Sequence, residues 1–301
     1  MKTTSSAPGK LMLYGEHAVV YGYPCIVTAV DTRIHVTVES ASTDGIEAPQ
    51  VGDTRFLEAA VALFRERYGV SSPVMVRTWS EFSHTFGFGS SSAVTVAVLH
   101  ALMTLFQLSY TKEELFRLAY DTILAVQGLG SGFDVAAAVY GGTIRFQNGQ
   151  TQILPLHSLP LIVGYTGIKA DTATLVNQVR NLKDHDNHID SLFERIGKLV
   201  EGANEYLSDD DLYHAGELMS ENHELLKDLG VSIPKLDQMV SAAIKGGAYG
   251  AKLSGAGGGD CMIALAGESK RESVIESIIN AGGEIIHVTP HAEGVRTQNI
   301  V

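Results

Sequence analysis

A glycine- and serine-rich segment that runs directly into an apolar stretch constrains this chain most. Residues 85–92 read TFGFGSSS, and residues 93–106 read AVTVAVLHALMTLF without a glycine or a proline. Such an apolar run predicts a buried helix. A loop of this kind leaves backbone N–H groups free at the positive end of the helix dipole. The segment therefore predicts an anion site, where Gly87 and Gly89 let a phosphate chain approach the backbone.

The same segment is also compatible with an ordinary helix capped by serine. It lacks the Gly-Lys-Ser/Thr ending of a Walker loop and the glycine spacing of a dinucleotide-binding fingerprint. Taken alone, it leaves both interpretations open.

Two further glycine-containing segments accompany the first. Residues 7–22 read APGKLMLYGEHAVVYG, and residues 252–261 read KLSGAGGGDC. In this order and at these separations, the three segments resemble the motifs of the GHMP kinases, the family of galactokinase, homoserine kinase, mevalonate kinase and phosphomevalonate kinase. The resemblance covers nearly the whole chain. It implies an α+β fold, with an N-terminal domain like the second domain of ribosomal protein S5 at 1–157 and a ferredoxin-like C-terminal domain at 158–301.

The composition is typical of a soluble enzyme. The 301 residues are 45% hydrophobic and 19% charged, which allows a substantial core. A net charge of −12 disfavours nucleic acid and anionic membrane surfaces as partners. The N-terminus lacks the apolar core of a signal peptide, and no segment is apolar enough to span a bilayer. Cys25 and Cys261 lack CxxC spacing and are interpreted as reduced thiols, so we expect a cytoplasmic protein.

Periodicity predicts strands and helices in both halves of the chain. A Thr111 cap with Glu114 three residues later marks the start of one helix. The polar segment 41–53 contains a glycine and is predicted to be a loop. Strands are predicted at 10–14, 24–29, 34–38, 74–79, 161–165, 250–254, 261–266 and 284–288, and helices at 55–68, 93–106, 112–127, 135–140, 189–207, 212–229 and 235–244.

Phosphoryl transfer to an alcohol needs positioned phosphates, a metal and a group that handles the hydroxyl proton. Asp134 follows a glycine-rich turn within an apolar segment, which suits either a helix N-cap or a carboxylate that faces a cleft. The resemblance implies that Asp134 is catalytic and that Lys10 is its charge partner. It also implies that Ser91 coordinates Mg²⁺, with Ser90 as the alternative. It implies that ATP binds at Thr85, Phe86, Gly87, Phe88, Gly89, Ser90 and Ser91.

The resemblance also implies residues that contact the alcohol acceptor. Residues 15–22, GEHAVVYG, are most similar to the mevalonate kinases, so Glu16 and His17 are expected to contact mevalonate from a loop lip near Lys10. Thr166 matches a substrate-contacting threonine in the second half. The loop at Gly255, Ala256 and Gly257 is expected to bring backbone amides to the substrate. ATP and mevalonate are the expected partners, and a homodimer is left open.

Some positions resemble phosphomevalonate kinase instead. Ile123 stands where mevalonate kinases usually carry a metal-binding Glu, with the nearby Asp121 as a substitute, and Asp260 stands where they commonly have Gly. A phosphorylated acceptor should need added cations, for which Lys169 and Arg77 are candidates.

Three functions are therefore weighed. Phosphorylation of mevalonate is preferred because the GEHAVVYG segment faces the acceptor in the family, and phosphorylation of 5-phosphomevalonate is the alternative. A non-catalytic sensor of nucleotide or isoprenoid is a third interpretation. The intact Lys10, Ser91 and Asp134 argue against the sensor, because a site without catalysis has no physical need for all three.

Overall fold

Residues 1–50, 53–186 and 188–298 are described in this computed structural model, and their eleven strands form two sheets. The larger sheet contains the first six strands and the last one, and the smaller sheet contains the other four. The strands are β1 (Lys2–Tyr14), β2 (Cys25–Ser40), β3 (Gly45–Glu47), β4 (Val74–Ser80), β5 (Thr143–Gln147), β6 (Gln150–Ile153), β7 (Leu161–Tyr165), β8 (Gly250–Ser254), β9 (Cys261–Leu265), β10 (Glu284–Ile286) and β11 (Arg296–Gln298).

The long antiparallel pair of β1 and β2 forms the centre of the larger sheet, whose strand order is β11-β1-β2-β4-β3. β2 pairs with β5 near its start and with β4 near its end. The sequence predicted two strands, 24–29 and 34–38, because polar residues separate them. They are one strand, since the buried Arg33 places its guanidinium against the side chain and carbonyl of Ser6 and against carbonyls of the C-terminal segment.

The described residues also form nine α-helices, which are α1 (Arg55–Tyr68), α2 (Ser90–Leu105), α3 (Lys112–Gln127), α4 (Phe133–Tyr140), α5 (Thr172–His185), α6 (His188–Ser208), α7 (Leu212–Asp228), α8 (Pro234–Lys245) and α9 (Arg271–Asn280). α2 and α4 lie against β1 and β2, and α1 and α3 pack against α2. The apolar α2 is therefore enclosed by protein, as its sequence predicts. A second core lies between the smaller sheet and the helices α6 to α9.

The strongly periodic segments occur where they were predicted, and the short or polar ones were missed. α1 and α3 have the predicted bounds, and Thr111 and Glu114 form the predicted reciprocal cap at the start of α3. The helices α5 and α9 and the strands β3, β5, β6 and β11 were not predicted. β3 lies within the predicted loop 41–53, of which residues 51 and 52 fall outside the described residues.

The smaller sheet has the antiparallel order β10-β7-β9-β8, and α8 and α9 pack against it. This βαββαβ arrangement is ferredoxin-like, and the predicted α+β class is confirmed. The predicted extent of the second domain, 158–301, needs a correction within the described residues. β11 pairs with β1, so the end of the chain returns to the larger sheet.

The two sheets are joined by hydrogen bonds between the middle of β1 and the end of β8. The Ser254 hydroxyl accepts from the backbone N–H of Met12 at 3.0 Å and donates to the carbonyl of the same residue at 2.9 Å. Both residues are buried, so these bonds are shielded from water. In the described part of the chain, no helix has the length and apolar character needed to cross a membrane.

We expect Gly250→Ala to destabilise the protein, because β8 touches α7 through two glycines. A Cβ atom at Gly250 would overlap the backbone carbonyl of Gly216, which cannot move aside as a side chain can. Overpacking of this kind costs about 1–3 kcal/mol. The free energy of unfolding in urea measures the effect.

Gly130→Ala is the control, because the nearest atom to its added Cβ is a methyl carbon of Ile123 at 3.7 Å, an ordinary contact. Equal unfolding free energies for the two variants would contradict the close packing of α7 on β8.

Candidate active site

The glycine- and serine-rich segment lies at the start of α2, as predicted. The helix begins at Ser90 rather than at Ala93, so the serines form its first turn, and Gly89 is the N-cap residue. Gly87 and Gly89 have φ values of 75° and 74°, in the left-handed region that favours glycine. The first-turn N–H groups have no partner within the helix. The backbone thus presents donors where an anion is expected.

Only part of the predicted nucleotide loop faces the cavity beside it. Gly87, Gly89, Ser90 and Ser91 line that cavity, and the buried Ser92 does so as well. Thr85, Phe86 and Phe88 do not line it. Phe88 is fully buried, Phe86 packs edge-on against Tyr165, and the Thr85 hydroxyl lies 2.8 Å from that of Ser83. These three side chains support the loop on the side away from the cavity.

Lys10 and Asp134, the predicted catalytic pair, face each other across the cavity wall. The Lys10 ammonium lies 3.3 Å from Asp134 Oδ1 and donates to the carbonyl of Gly87 at 3.1 Å. Asp134 is the second residue of α4, whose N-cap is Gly132, so its carboxylate is not the cap. Oδ1 is buried and accepts no hydrogen bond from the described residues. Oδ1 is therefore held by the charge of Lys10, while the Asp134 side chain as a whole is 33% exposed and can accept a donor from the cavity.

The side chain of Lys10 passes close to the backbone of Gly89. A Cβ at this position would lie 3.1 Å from Lys10 Cε and 3.6 Å from Asp134 Oδ1. The absence of a side chain therefore lets Lys10 pass beneath the loop to reach the carboxylate.

Glu16 and His17 were expected at a loop lip near Lys10. Both are buried, with 1% and 6% of their surface exposed, yet both line the cavity. His17 Nε2 lies 2.8 Å from the carbonyl of Ala256, so this nitrogen carries the proton. Burial lowers the pKa of His17, with a further lowering from the charge of Lys252. The imidazole is thus neutral near pH 7.

Glu16 is paired with Lys252, a residue to which the sequence assigned no role. Lys252 lies on β8 with no exposed surface, and its ammonium donates to Glu16 Oε1 and, at 2.6 Å, to the carbonyl of Leu253. Burial raises the pKa of Glu16 and lowers that of Lys252, while their mutual attraction opposes both shifts. A charged residue within an otherwise apolar strand was the signal that could have identified this pair.

Some of the substrate residues predicted in the second half of the chain line the cavity, and others do not. Gly255 and Ala256 line the cavity, but Gly257 packs against the carbonyl of Val231. Thr166 does not reach the cavity, because its hydroxyl donates to the carbonyl of Asp260 at 2.9 Å. The threonine that lines the cavity is Thr172, the first residue of α5.

The two cations proposed for a phosphorylated acceptor are both paired. Lys169 lines the cavity, and its ammonium lies 3.1 Å from Asp260 Oδ1, which also accepts the N–H of Ala170 at 2.9 Å. Arg77 lies on β4 outside the cavity lining, where it pairs with Glu39 and Glu47. Arg77 is therefore excluded as an acceptor residue.

The cavity has a volume of about 460 Å³ and contains both polar and apolar walls. Its apolar side chains come from the short helix after His17, from the end of α3 and the turn that follows, and from α5. They are Val19, Val20, Ile123, Leu129 and Val176, and β1 and the start of α4 add Met12, Phe133 and Val135.

The donors in the cavity fit a Mg²⁺ ion that reaches the site together with phosphates. Mg²⁺ prefers one or two carboxylates and keeps phosphate and water oxygens as its other ligands. The partly exposed Asp134 carboxylate and the Ser91 hydroxyl supply such a set. Ile123 adds no oxygen, and Asp121 is exposed and outside the lining, so it does not substitute. Across the described residues, no cluster of three His, Cys, Asp or Glu side chains forms a closed metal site.

Comparison with known proteins agrees with this geometry. Residues 55–142 match the model of the GHMP kinase N-terminal domain, and residues 201–284 match that of the GHMP kinase C-terminal domain. The fold and the site thus define a small-molecule kinase of the GHMP class.

Among curated proteins, mevalonate kinase of Thermococcus sibiricus is 37% identical, with 100% of each chain covered. Mevalonate kinase of Pyrococcus abyssi is 36% identical, with 98% of each chain covered. The chain therefore belongs to the mevalonate kinases within the GHMP kinase family.

Solved structures give the same class. L. major mevalonate kinase in complex with R-mevalonate superposes with a TM-score of 0.82 at 28% identity, over 98% of this chain and 97% of that one. Streptococcus pneumoniae phosphomevalonate kinase superposes with a TM-score of 0.85 at 21% identity, over 96% and 99%. At that identity the second likeness shows the fold alone. The fold does not separate the two acceptors, whereas the sequence relatives do.

We expect Gly87→Ala to weaken ATP binding, because a Cβ there would overlap the Asp260 carboxylate, which Lys169 and Ala170 hold in place. Overpacking of about 1–3 kcal/mol at the loop corresponds to roughly five- to 150-fold in affinity. Calorimetric titration with ATP measures the dissociation constant.

Gly128→Ala is the matched control. Gly128 has a φ of 74°, close to that of Gly87, but no atom lies within 4 Å of its added Cβ. Both variants therefore carry the same backbone strain, and only Gly87→Ala adds the overlap. Equal loss of ATP affinity in both would show that strain, not the Asp260 contact, is responsible.

Proposed function

We propose that this protein transfers the γ-phosphate of ATP to the 5-hydroxyl of mevalonate. One observation carries the assignment of roles: the Lys10 ammonium contacts both the Asp134 carboxylate and the carbonyl of Gly87 in the glycine- and serine-rich loop. A cation that touches the acid–base group and the phosphate-binding loop together marks the place where the hydroxyl meets the phosphate.

Asp134 accepts the proton of the attacking hydroxyl, or orients that hydroxyl as transfer proceeds. Lys10 stabilises the negative charge that develops on the acceptor oxygen, because its ammonium is buried at 7% exposure and is already oriented. The N–H groups of the first turn of α2, with Ser90 and Ser91, hold the phosphates in line with the hydroxyl.

Asp134 and Ser91 would hold Mg²⁺ at this site. When bound, Mg²⁺ neutralises the charge on the phosphates that face the acceptor. ATP and Mg²⁺ together would complete the set of groups that the reaction needs. The neutral imidazole of His17 and the Glu16 carboxylate, which is paired with Lys252, form the opposite wall toward mevalonate.

Mevalonate is preferred over 5-phosphomevalonate because, among the residues that the structure describes, the cavity lining offers no unpaired lysine or arginine for a second phosphate. Lys169 is paired with Asp260, and Arg77 lies outside the cavity lining. An additional dianion would have to displace Asp260 from Lys169 at a cost in binding. The mevalonate kinase relatives support the same choice.

We also propose a reducing, cytoplasmic location. Cys25 and Cys261 are both free and buried, and burial raises the pKa values of both thiols well above the usual range. Such thiols are inert packing groups. Whether the enzyme forms a homodimer stays a prediction, to be tested by light scattering.

Asp134→Asn should lower kcat with mevalonate by about 10²–10⁴-fold, because the amide cannot accept the proton. ATP affinity and the circular dichroism spectrum should stay close to those of the parent, since the amide has the same shape. Coupled measurement of ADP release gives kcat.

Asp121→Asn is the control, because this carboxylate is exposed on α3 and outside the cavity lining. Near-normal turnover by Asp134→Asn would show that Asp134 has only a structural role and would contradict the proposed mechanism.

His17→Ala should raise the KM for mevalonate roughly two- to tenfold and leave the KM for ATP nearly unchanged, because the Nε2–H of the neutral imidazole is bonded to Ala256 and Nδ1 can accept one hydrogen bond from a hydroxyl of the acceptor. Because His17 has a φ of 59°, part of the effect could come from the backbone. His17→Asn separates the two contributions, since asparagine tolerates positive φ.

If only the alanine variant is impaired, the imidazole does not bind the acceptor. If Lys169→Ala abolishes activity toward 5-phosphomevalonate while mevalonate is inert, the acceptor is the phosphorylated one.

A further inference from the structure

Lys169 lies between β7 and α5 and faces the cavity, although the proposed reaction gives it no role. Its side chain is 44% exposed and lines the cavity, whereas its partner Asp260 is buried. The Lys169 ammonium lies 3.1 Å and 3.2 Å from the two carboxylate oxygens of Asp260. An ammonium has three N–H donors, and no other described residue accepts one from Lys169, so one N–H remains for a ligand.

Asp260 fixes the segment that carries Lys169 through several further bonds. Its Oδ1 accepts the N–H of Ala170 at 2.9 Å, and its backbone N–H donates to the carbonyl of Ile168 at 2.7 Å. Its backbone carbonyl accepts the N–H of Thr166 at 3.0 Å. The segment from Thr166 to Ala170 is thus folded around Asp260, and the lysine is oriented before a ligand arrives. Such preorganisation lowers the entropy cost of binding.

The Lys169–Asp260 pair lies beside the phosphate-binding loop. A Cβ at Gly87 would lie 2.3 Å from Asp260 Oδ2, so the carboxylate packs against the backbone of Gly87. The carbonyl of Gly87 also accepts a hydrogen bond from Lys10, which is paired with Asp134. Gly87 therefore contacts both pairs. In the proposed reaction the phosphate next to Lys10 and Asp134 is the one that is transferred, so the γ-phosphate is also the phosphate nearest to Lys169.

We propose that Lys169 binds the γ-phosphate of ATP through the N–H that Asp260 leaves free, and so helps to hold this phosphate for transfer. This inference rests on the proposed function. A charge-assisted hydrogen bond from an ammonium to a phosphate oxygen is stronger than a neutral one. Because the pair is neutral as a whole, it supplies a directed donor without adding net charge to the cavity wall. The assignment also leaves no N–H of Lys169 for a phosphate on the acceptor.

The test compares two nucleotides that differ in the γ-phosphate, namely ADP and the β,γ-imido analogue of ATP. Each is titrated calorimetrically with Mg²⁺ into the enzyme without an acceptor, and the ratio of the two dissociation constants is measured. Loss of the Lys169 donor should weaken binding of the analogue roughly tenfold, the lower end for a hydrogen bond to a charged group, because the ammonium is partly exposed. Binding of ADP should weaken by no more than about twofold, whereas a merely structural change in the loop would weaken both nucleotides alike.

Lys169→Met alone does not decide the question, because it leaves the Asp260 carboxylate without its cation, and that charge would itself repel the γ-phosphate. The double variant Lys169→Met/Asp260→Asn removes both charges, and asparagine tolerates the φ of 54° at this position. The roughly tenfold loss should persist in the double variant. If the double variant does not fold, Lys169→Gln/Asp260→Asn replaces it, since the two amides can still bond to each other.

Lys183→Met is the matched control. It also removes a paired lysine, whose ammonium lies 2.8 Å from Asp190, but Lys183 is outside the cavity lining. The ratio of dissociation constants should stay unchanged in this variant. A lower ratio here as well would assign the effect to the overall charge of the protein and would overturn the role of Lys169.

The remaining outcomes separate the inference from the proposed function. If the double variant keeps the ratio of the unmodified enzyme, any loss in Lys169→Met is repulsion by Asp260, and the inference is overturned. If the ratio is kept while the KM for mevalonate rises, Lys169 meets the carboxylate of the acceptor, so the inference is overturned and the proposed function stands. If the ratio falls as expected but mevalonate is not phosphorylated, the γ-phosphate contact stands and the proposed acceptor is wrong. If the unmodified enzyme binds neither nucleotide, both fail.

Discussion

The site depends on the joint between β1 and β8, where the Ser254 hydroxyl holds both the N–H and the carbonyl of Met12. Lys10 precedes the joint on one strand and Glu16 follows that strand, while Lys252 lies just before the joint on the other. Since every one of these residues is within a few positions of the bonded pair, a shift between the sheets would move all of them together. The cavity therefore depends on how the two sheets are held together, both by this joint and by the larger core, which contains buried residues of both sheets.

Much of the fold could be predicted because several of its helices have strong local sequence patterns. α2 follows an apolar run that is too long for a strand, and α3 combines an apolar stripe with a reciprocal cap. The polar α5 was missed because it buries only Val179 and so has little apolar pattern. β11 was missed because three residues carry no periodicity, and its pairing with β1 is a contact between the two ends of the chain.

The parts of the site that the backbone forms could be predicted from the sequence better than the parts that depend on paired side chains. Gly87 and Gly89 indicate a phosphate-binding loop, because both have positive φ values in the region that favours glycine. The burial of Glu16 could not be read from its neighbours, because its partner Lys252 is 236 residues away. Likewise, Thr166 and Thr172 are indistinguishable in sequence as candidate contacts, and only the folding of the loop around Asp260 decides which one reaches the cavity.

A chain with a net charge of −12 that takes two anionic substrates must solve an electrostatic problem. It does so by local pairing: Lys10 with Asp134, Lys169 with Asp260, and Lys252 with Glu16. Each pair leaves its stretch of wall close to neutral, so the attraction for phosphate falls to the backbone N–H groups at the start of α2 and, in the proposed reaction, to a Mg²⁺ ion bound with ATP. The carboxylates can then serve as acceptors for hydroxyl groups without repelling the substrates that carry them.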